Sequence, residues 1–178
     1  DEEAEALLSP RLLAALPGSK VIGEESVAAN AGLMDLLRED HPVWIIDPID
    51  GTSNFVGGIP RFAVIVALIA RGETIGGWIH DPLTGKTLAA EQGAGTWETD
   101  AAATVTRRVL SAPPVALKDM TVALHPKAFA KSLGKFARNL RLGSAAHDYW
   151  TVAEGRMQCL AYRKLKPWDH AAGVLIHR

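Results

Sequence analysis

Val43-Trp44-Ile45-Ile46-Asp47-Pro48-Ile49-Asp50-Gly51-Thr52 is the stretch on which the reading of this chain turns. Residues 43–46 are continuously apolar, the pattern of a strand buried on both faces. Asp47-Pro48-Ile49-Asp50-Gly51 is turn-forming and is expected to end the strand and carry two carboxylates into a loop. One reading is a plain turn, because Asp-Gly is a frequent turn pair and Pro fixes the backbone before it. A calcium loop of the EF-hand kind is excluded, since its carboxylates fall at alternate positions and Ile49 occupies one of them. The other reading is a metal site. Asp47, Asp50 and the Ile49 carbonyl can converge on one hard cation, and magnesium prefers such oxygen ligands.

Outward from that stretch, residues 4–16 carry leucines at helical spacing, with Pro10 expected to kink or restart the helix and Ser9 to cap it. Residues 20–23 read as a short strand ending at Glu24-Glu25, and 31–39 as an amphipathic helix. Residues 62–70, 74–80 and 86–90 read as an antiparallel meander. Residues 101–118 have weak periodicity and are assigned to loops and edge strands. Helices are expected near 126–139 and over 144–154, a strand over 157–162, and a last helix opening at Asp169.

The 178 residues are 48% hydrophobic and 22% charged, enough apolar mass for one globular core. Nineteen basic and 20 acidic residues leave a net charge of −1, which points away from nucleic acid or an anionic membrane as main partner. Any phosphate recognition must therefore be local. The single cysteine, Cys159, cannot form an intramolecular disulfide and fits a cytoplasmic location. The longest apolar run is far too short to span a bilayer.

Gly23-Glu24-Glu25-Ser26, residues 44–55 and Trp168-Asp169-His170-Ala171-Ala172-Gly173 resemble, in order and spacing, the three signature blocks of the inositol monophosphatase family. The resemblance runs along the whole chain. It implies an α/β (α+β) fold, a layered αβαβα sandwich with the site in a cleft between layers. It also implies Mg²⁺-dependent hydrolysis of a small phosphate monoester, such as an inositol monophosphate, by metal-activated water, with two or three Mg²⁺ ions per site. A homodimer and sensitivity to lithium are implied as well. On this reading the chain is a single domain over 1–178 that lacks the family's first helix and C-terminal part.

By the same resemblance Glu24, Asp47 and the Ile49 carbonyl would hold a first metal, and Asp47, Asp50 and Asp169 a second. Physical logic stands beside this: a phosphate dianion approaches four carboxylates only if cations neutralise them and bridge to its oxygens. Gly51 and Thr52 would open a helical turn whose amides bind phosphate. Thr52, paired with Asp1, would position the attacking water, with Glu24 completing the catalytic set. Gly143, Ser144 and Ala145 match the segment that contacts the substrate alcohol, although the same residues could be a glycine turn and a helix cap. Asp169 could equally be a helix N-cap, and Glu25 a solvated carboxylate. The histidines, His147 and His170 included, are read as structural or exposed.

One position departs from the family. Where inositol-specific members carry a glutamate before the last metal-binding aspartate, this chain has Tyr162, followed by Arg163, Lys164 and Lys166. A phenol brings no negative charge, so discrimination among polyols should differ. A substrate with a second anionic group is one expectation, and a solvated basic face is the other. Bisphosphate nucleotidase, histidinol-phosphate phosphatase and fructose-bisphosphatase activities are alternatives on the same motif. A non-catalytic module sensing metal or phosphate is the alternative of another class.

Overall fold

The computed structural model describes all of residues 1–178 except Ser111 and Leu133, and for Ala128 and Phe129 the backbone alone. Seven strands form one sheet in sequence order: β1 (Lys20–Gly23), β2 (Val43–Asp50), β3 (Ala63–Ala70), β4 (Glu73–Asp81), β5 (Lys86–Glu91), β6 (Gly95–Thr99) and β7 (Val105–Val109). β1 pairs parallel with β2, and every later pair is antiparallel. The predicted meander is therefore present, extended by two further strands.

Alternation along the strands builds two faces. Ile45, Ala63, Ile65, Ala67, Ile79 and Leu88 bury on one face, against Ala146 and Tyr149 of α5 (Ala145–Ala153) and Trp168, Ala172 and Leu175 of α6 (Pro167–Ile176). Each Ile or Leu among them removed from water stabilises by about 1.5–3 kcal/mol before entropy is counted, and each Ala by less. α6 lies so close to the sheet that a Cβ at Gly77 would stand 2.9 Å from the Ala172 Cα. The opposite face carries α1 (Glu2–Ala15), which packs on β1 and β2, and the Trp44 indole donates to Ser19 Oγ just beyond that helix at 3.1 Å.

A smaller parallel sheet, ordered β10 (Cys159–Leu160), β8 (Thr121–Ala123) and β9 (Arg138–Asn139), contacts α5 through β10. Helix, sheet, helix pair and sheet thus succeed one another, as in the αβαβα sandwich expected from the sequence.

Several elements differ from expectation. α1 runs unbroken through Pro10, and the Ser9 hydroxyl donates back to the Glu5 carbonyl at 2.8 Å instead of capping a new helix. Residues Ala31–Arg38 form a 3-10 helix, begun by the Asn30 side chain accepting the Gly32 amide at 3.1 Å. The helix expected near 126–139 is only α4 (Pro126–Lys131), with Leu133 outside the described residues. The strand expected over 157–162 is confined to Cys159–Leu160, and α6 opens at Pro167, two residues before Asp169. Within 101–118 the chain forms β7 and a 3-10 turn at Leu117–Asp119, while Ser111 lies outside the described residues. Most important for the site, β2 does not stop at Ile46. It pairs with β3 through Asp47 and again at Asp50, with a register shift between them that absorbs Pro48.

Candidate metal and phosphate site

β1 ends at Gly23 and α2 (Glu24–Ala29) begins at the next residue, which puts Glu24 at a strand-to-helix junction. The junction is fixed from beneath by Glu5 of α1, a buried carboxylate that accepts the amides of Glu25 at 3.0 Å and Ser26 at 3.1 Å, and the Ser26 hydroxyl. Glycine is required at position 23, because a Cβ there would fall on the Glu5 carboxylate. Glu5 escaped the sequence reading: in a leucine-rich helix nothing marks one glutamate as a cap for a segment twenty residues on.

Asp47 and Asp50 come from the end of β2. Asp47 is 2% exposed, its Oδ1 has no hydrogen-bond partner, and its carboxyl is pushed up to about 9. Burial is the main cause, followed by the negative charges of Asp50, Glu24 and Asp169, with the Ile49 backbone drawing the other way. Glu24 is likewise raised, by burial first and then by Asp169, Glu25 and Asp50. The buried Trp168 indole N–H draws Glu24 down without making a regular hydrogen bond. Asp169, in the first turn of α6, is raised to about 6 by burial and then by Asp50, against the pull of Lys166. Lys166 occupies the N-cap position of that helix, and Asp169 makes no capping hydrogen bond among the described residues. The capping alternative for Asp169 is therefore not what the structure shows.

Asp50 is held differently. Its Oδ1 accepts the Ala145 amide at 3.0 Å, and its Oδ2 accepts the Ala146 amide at 2.8 Å and the Ser144 hydroxyl. The helix start of α5 thus grips a carboxylate of the same chain. Burial still raises Asp50, with Ser144, Ala146 and Ala145 opposing. Each carboxylate oxygen accepts two hydrogen bonds. Oδ2 is therefore filled, and Oδ1 keeps one acceptor site for a cation.

Gly51 and Gly143 interlock at this point. Gly51 has φ +88, and a Cβ on it would meet the Arg61 carbonyl at 2.9 Å and Ser144 Cβ at 3.0 Å. Asn54, in the short helix α3 (Thr52–Val56), donates to the carbonyls of Arg61 at 2.8 Å and Leu142 at 2.9 Å, tying the two turns together. The segment 143–145 is thus beside Asp50 and Gly51. Its polar atoms are nevertheless largely used within the protein. Ser144 gives its one hydroxyl hydrogen to Asp50 and accepts from the His147 amide at 3.2 Å, with His147 Nδ1 at 3.0 Å. Since the hydroxyl hydrogen is committed, Nδ1 is the protonated nitrogen of that histidine. His147 therefore belongs to the site's support, a role the sequence reading did not give it.

The expected pair of Thr52 and Asp1 is not formed. Thr52 Oγ1 donates to the Ile49 carbonyl at 3.1 Å, and Asp1 sits at the N-cap of α1. Ile49 O keeps a second lone pair. Tyr162 also turns inward, its hydroxyl 2.5 Å from Oδ2 of the buried Asp148 and its ring edge-on to His170 at 4.6 Å. Among the described residues no three His, Cys, Asp or Glu side chains stand converged on one ion position. The donor set nevertheless fits a hard cation: all its members are oxygens, their charges repel one another, and one buried oxygen lacks any partner.

The whole chain, residues 1–178, matches the model of the inositol monophosphatase family. The chain belongs to the inositol monophosphatase family. By that family it is a phosphoric monoester hydrolase. It is 35% identical over 190 residues to the Nus factor SuhB of Vibrio cholerae and 33% identical over 190 residues to an inositol-1-monophosphatase of Rhizobium meliloti. Both alignments take in 100% of this chain and 67% of the relative. Among solved structures, Mycobacterium tuberculosis SuhB superposes with a TM-score of 0.79 at 30% identity, covering 99% of this chain and 70% of that one. The chain thus spans about two thirds of the length of the relatives it matches. No described helix is long and apolar enough to cross a membrane.

Proposed function

We propose that this chain carries the catalytic centre of a Mg²⁺-dependent phosphatase that hydrolyses a small, inositol monophosphate-like ester to the alcohol and inorganic phosphate. The observation that carries the reading is Asp47, a fully buried carboxyl without a partner on Oδ1, surrounded by Glu24, Asp50 and Asp169. Leaving such a group unpaired costs several kcal/mol, and a divalent cation removes that cost. Glu24, Asp47 and the Ile49 carbonyl would hold one ion, and Asp47, Asp50 and Asp169 a second. Bound there, the ions would acidify a water and offset charge on the phosphoryl and leaving oxygens.

The protein's own groups would do the rest. Thr52, whose hydrogen is already committed to Ile49, has oxygen lone pairs that can accept a hydrogen bond from the attacking water. Glu24, beside the first ion, would accept a hydrogen bond from this water and orient it. Asp50, gripped by α5, would keep its position as charge develops. Further readings that come with the family are a homodimer, inhibition by lithium and a cytoplasmic location.

Phosphate release from myo-inositol 1-phosphate, with and without Mg²⁺, tests this in the wild-type protein and Asp47→Asn. Mg²⁺-dependent turnover that disappears in the variant is the expected result. A folded wild-type protein that binds Mg²⁺ yet turns over no phosphate monoester would replace this reading with a metal-sensing one.

A further inference from the structure

Ser144 is the N-cap of α5, and its hydroxyl faces two ways at once. A serine at that position ordinarily accepts the amide three residues on, and this one accepts the His147 amide at 3.2 Å. Its hydrogen goes in the other direction, to Oδ2 of Asp50. Both residues are buried, Ser144 at 4% and Asp50 at 7% exposure, so the bond between them is sheltered from water.

A hydroxyl has one hydrogen and two lone pairs. The second lone pair of Ser144 is taken by His147 Nδ1 at 3.0 Å. With all three positions filled, the hydroxyl has no other partner to which it can swing its hydrogen. The residue type at 147 decides this. Glutamate or glutamine is the usual companion three residues after a capping serine, and a carboxylate there, able only to accept, would compete with Asp50 for the Ser144 hydrogen. His147 donates instead. Burial, ahead of the opposite pull of Asp81 and Asp50, lowers its pKa, so at neutral pH the ring carries a single hydrogen, on Nδ1.

The effect reaches the carboxylate. Oδ2 of Asp50 receives the Ala146 amide at 2.8 Å and the fixed Ser144 hydrogen, while Oδ1 receives the Ala145 amide at 3.0 Å. Only Oδ1 keeps a position open, so Asp50 can meet a cation through one oxygen and not through both. A carboxylate that binds through both oxygens suits Ca²⁺, which takes more ligands in looser geometry; Mg²⁺ is smaller and demands a near-ideal octahedron.

We propose that His147 is a positioning residue for metal selection: through Ser144 it restricts Asp50 to one open oxygen and so favours Mg²⁺ over Ca²⁺ at this site. This rests on the reading of Asp50 as a metal ligand and adds to it a means of discriminating between two ions of equal charge. His147 acts only by saturating the serine.

The test measures Kd for Mg²⁺ and for Ca²⁺ by titration calorimetry on the metal-free full chain, together with long-range proton–nitrogen correlation of the imidazoles at pH 8. The wild-type spectrum should place the His147 hydrogen on Nδ1. His147→Leu, and His147→Ala, which makes no demand on packing, should each move the ratio of the two Kd values towards Ca²⁺ by about three- to tenfold. Ser144→Ala should move it at least as far. His147→Asn, whose side-chain N–H can stand where Nδ1–H stood, should restore the wild-type ratio to within about twofold, a rescue that a residue needed only for packing would not show. A hydrogen on Nε2, a ratio unchanged in His147→Ala, or a His147→Asn protein no different from His147→Ala overturns the inference. A wild-type protein that binds neither ion overturns the metal-site reading on which it stands.

Discussion

Glu98 and Asp47 are buried carboxylates on the same sheet, and they live in opposite surroundings. Glu98, 5% exposed on β6, accepts Lys86 Nζ at 3.1 Å and Arg107 Nη2 at 3.1 Å. Burial alone would raise its carboxyl, but Arg107 and Lys86 hold it below the ordinary value. Asp47, 2% exposed on β2, has three carboxylates for neighbours and sits far above the ordinary range. The first arrangement completes itself with side chains of the chain. The second is left incomplete by the fold, and on the proposed reading a cation would complete it. Burial of an acid therefore says little about its role until its partners are counted.

The sharpest way to break this contrast is to remove each charge. Asp47→Asn should lower turnover by on the order of 10²–10⁴-fold, because on the proposed reading it would be the ligand the two ions share, and should raise the melting temperature of the metal-free protein by removing the cost of its burial among carboxylates. A variant less stable without metal than the wild type would show that Asp47 is not strained in the way its neighbours imply. Thr52→Val should lower kcat by about 10²-fold with little change in KM, if its oxygen receives the attacking water. An effect confined to KM would move Thr52 to substrate binding. Glu98→Gln should do the reverse of Asp47→Asn, with kcat unchanged and stability reduced by about 1–3 kcal/mol, read as a lower urea midpoint.

A smaller effect lies in pH. Asp47 and Asp169 have raised values in the folded protein, so the unfolded chain ionises them first as pH increases. Metal-free stability should therefore fall as pH rises from about 4, through about 6 for Asp169 and about 9 for Asp47. Between pH 5 and 8 the melting temperature without metal should drop by a few degrees, while added Mg²⁺ should stabilise more at pH 8 than at pH 5. Calorimetry at the two pH values, with EDTA and with Mg²⁺, checks both signs. A metal-free protein more stable at pH 8 would contradict the electrostatic picture of the site.

The order of the main elements was legible because hydrophobic period is a local property. Val43 to Ile46 announces a buried strand, and residues 62–90 announce a meander, without knowledge of the rest. Glu24, Asp47, Asp50 and Asp169, which the structure brings near one another, were singled out through the resemblance of three signature blocks; each alone also fitted a turn, a cap or a solvated carboxylate. What was not legible depends on distant partners. The strand continues to Asp50 only because β3 supplies pairing beyond Pro48. The role of Glu5 becomes visible once the amides of Glu25 and Ser26 are folded over it. Asp50's grip by α5, and the engagement of Tyr162 with Asp148, likewise join residues that no sequence window contains.

The span of the contacts on Asp50 has a kinetic consequence. Ser144, Ala145 and Ala146 reach it from 94 to 96 residues away, whereas the strands β3 to β7 pair with their immediate neighbours. Near-neighbour hairpins close cheaply and early; a junction this far along the chain closes late, after the long loop has met its entropy cost. During synthesis the meander emerges long before α5 does, so the earliest compact state carries Asp47 and Asp50 without the clamp that orients them. Uptake of Mg²⁺ would then report the last stage of chain assembly, and a refolding trace followed by metal binding should lag one followed by strand formation.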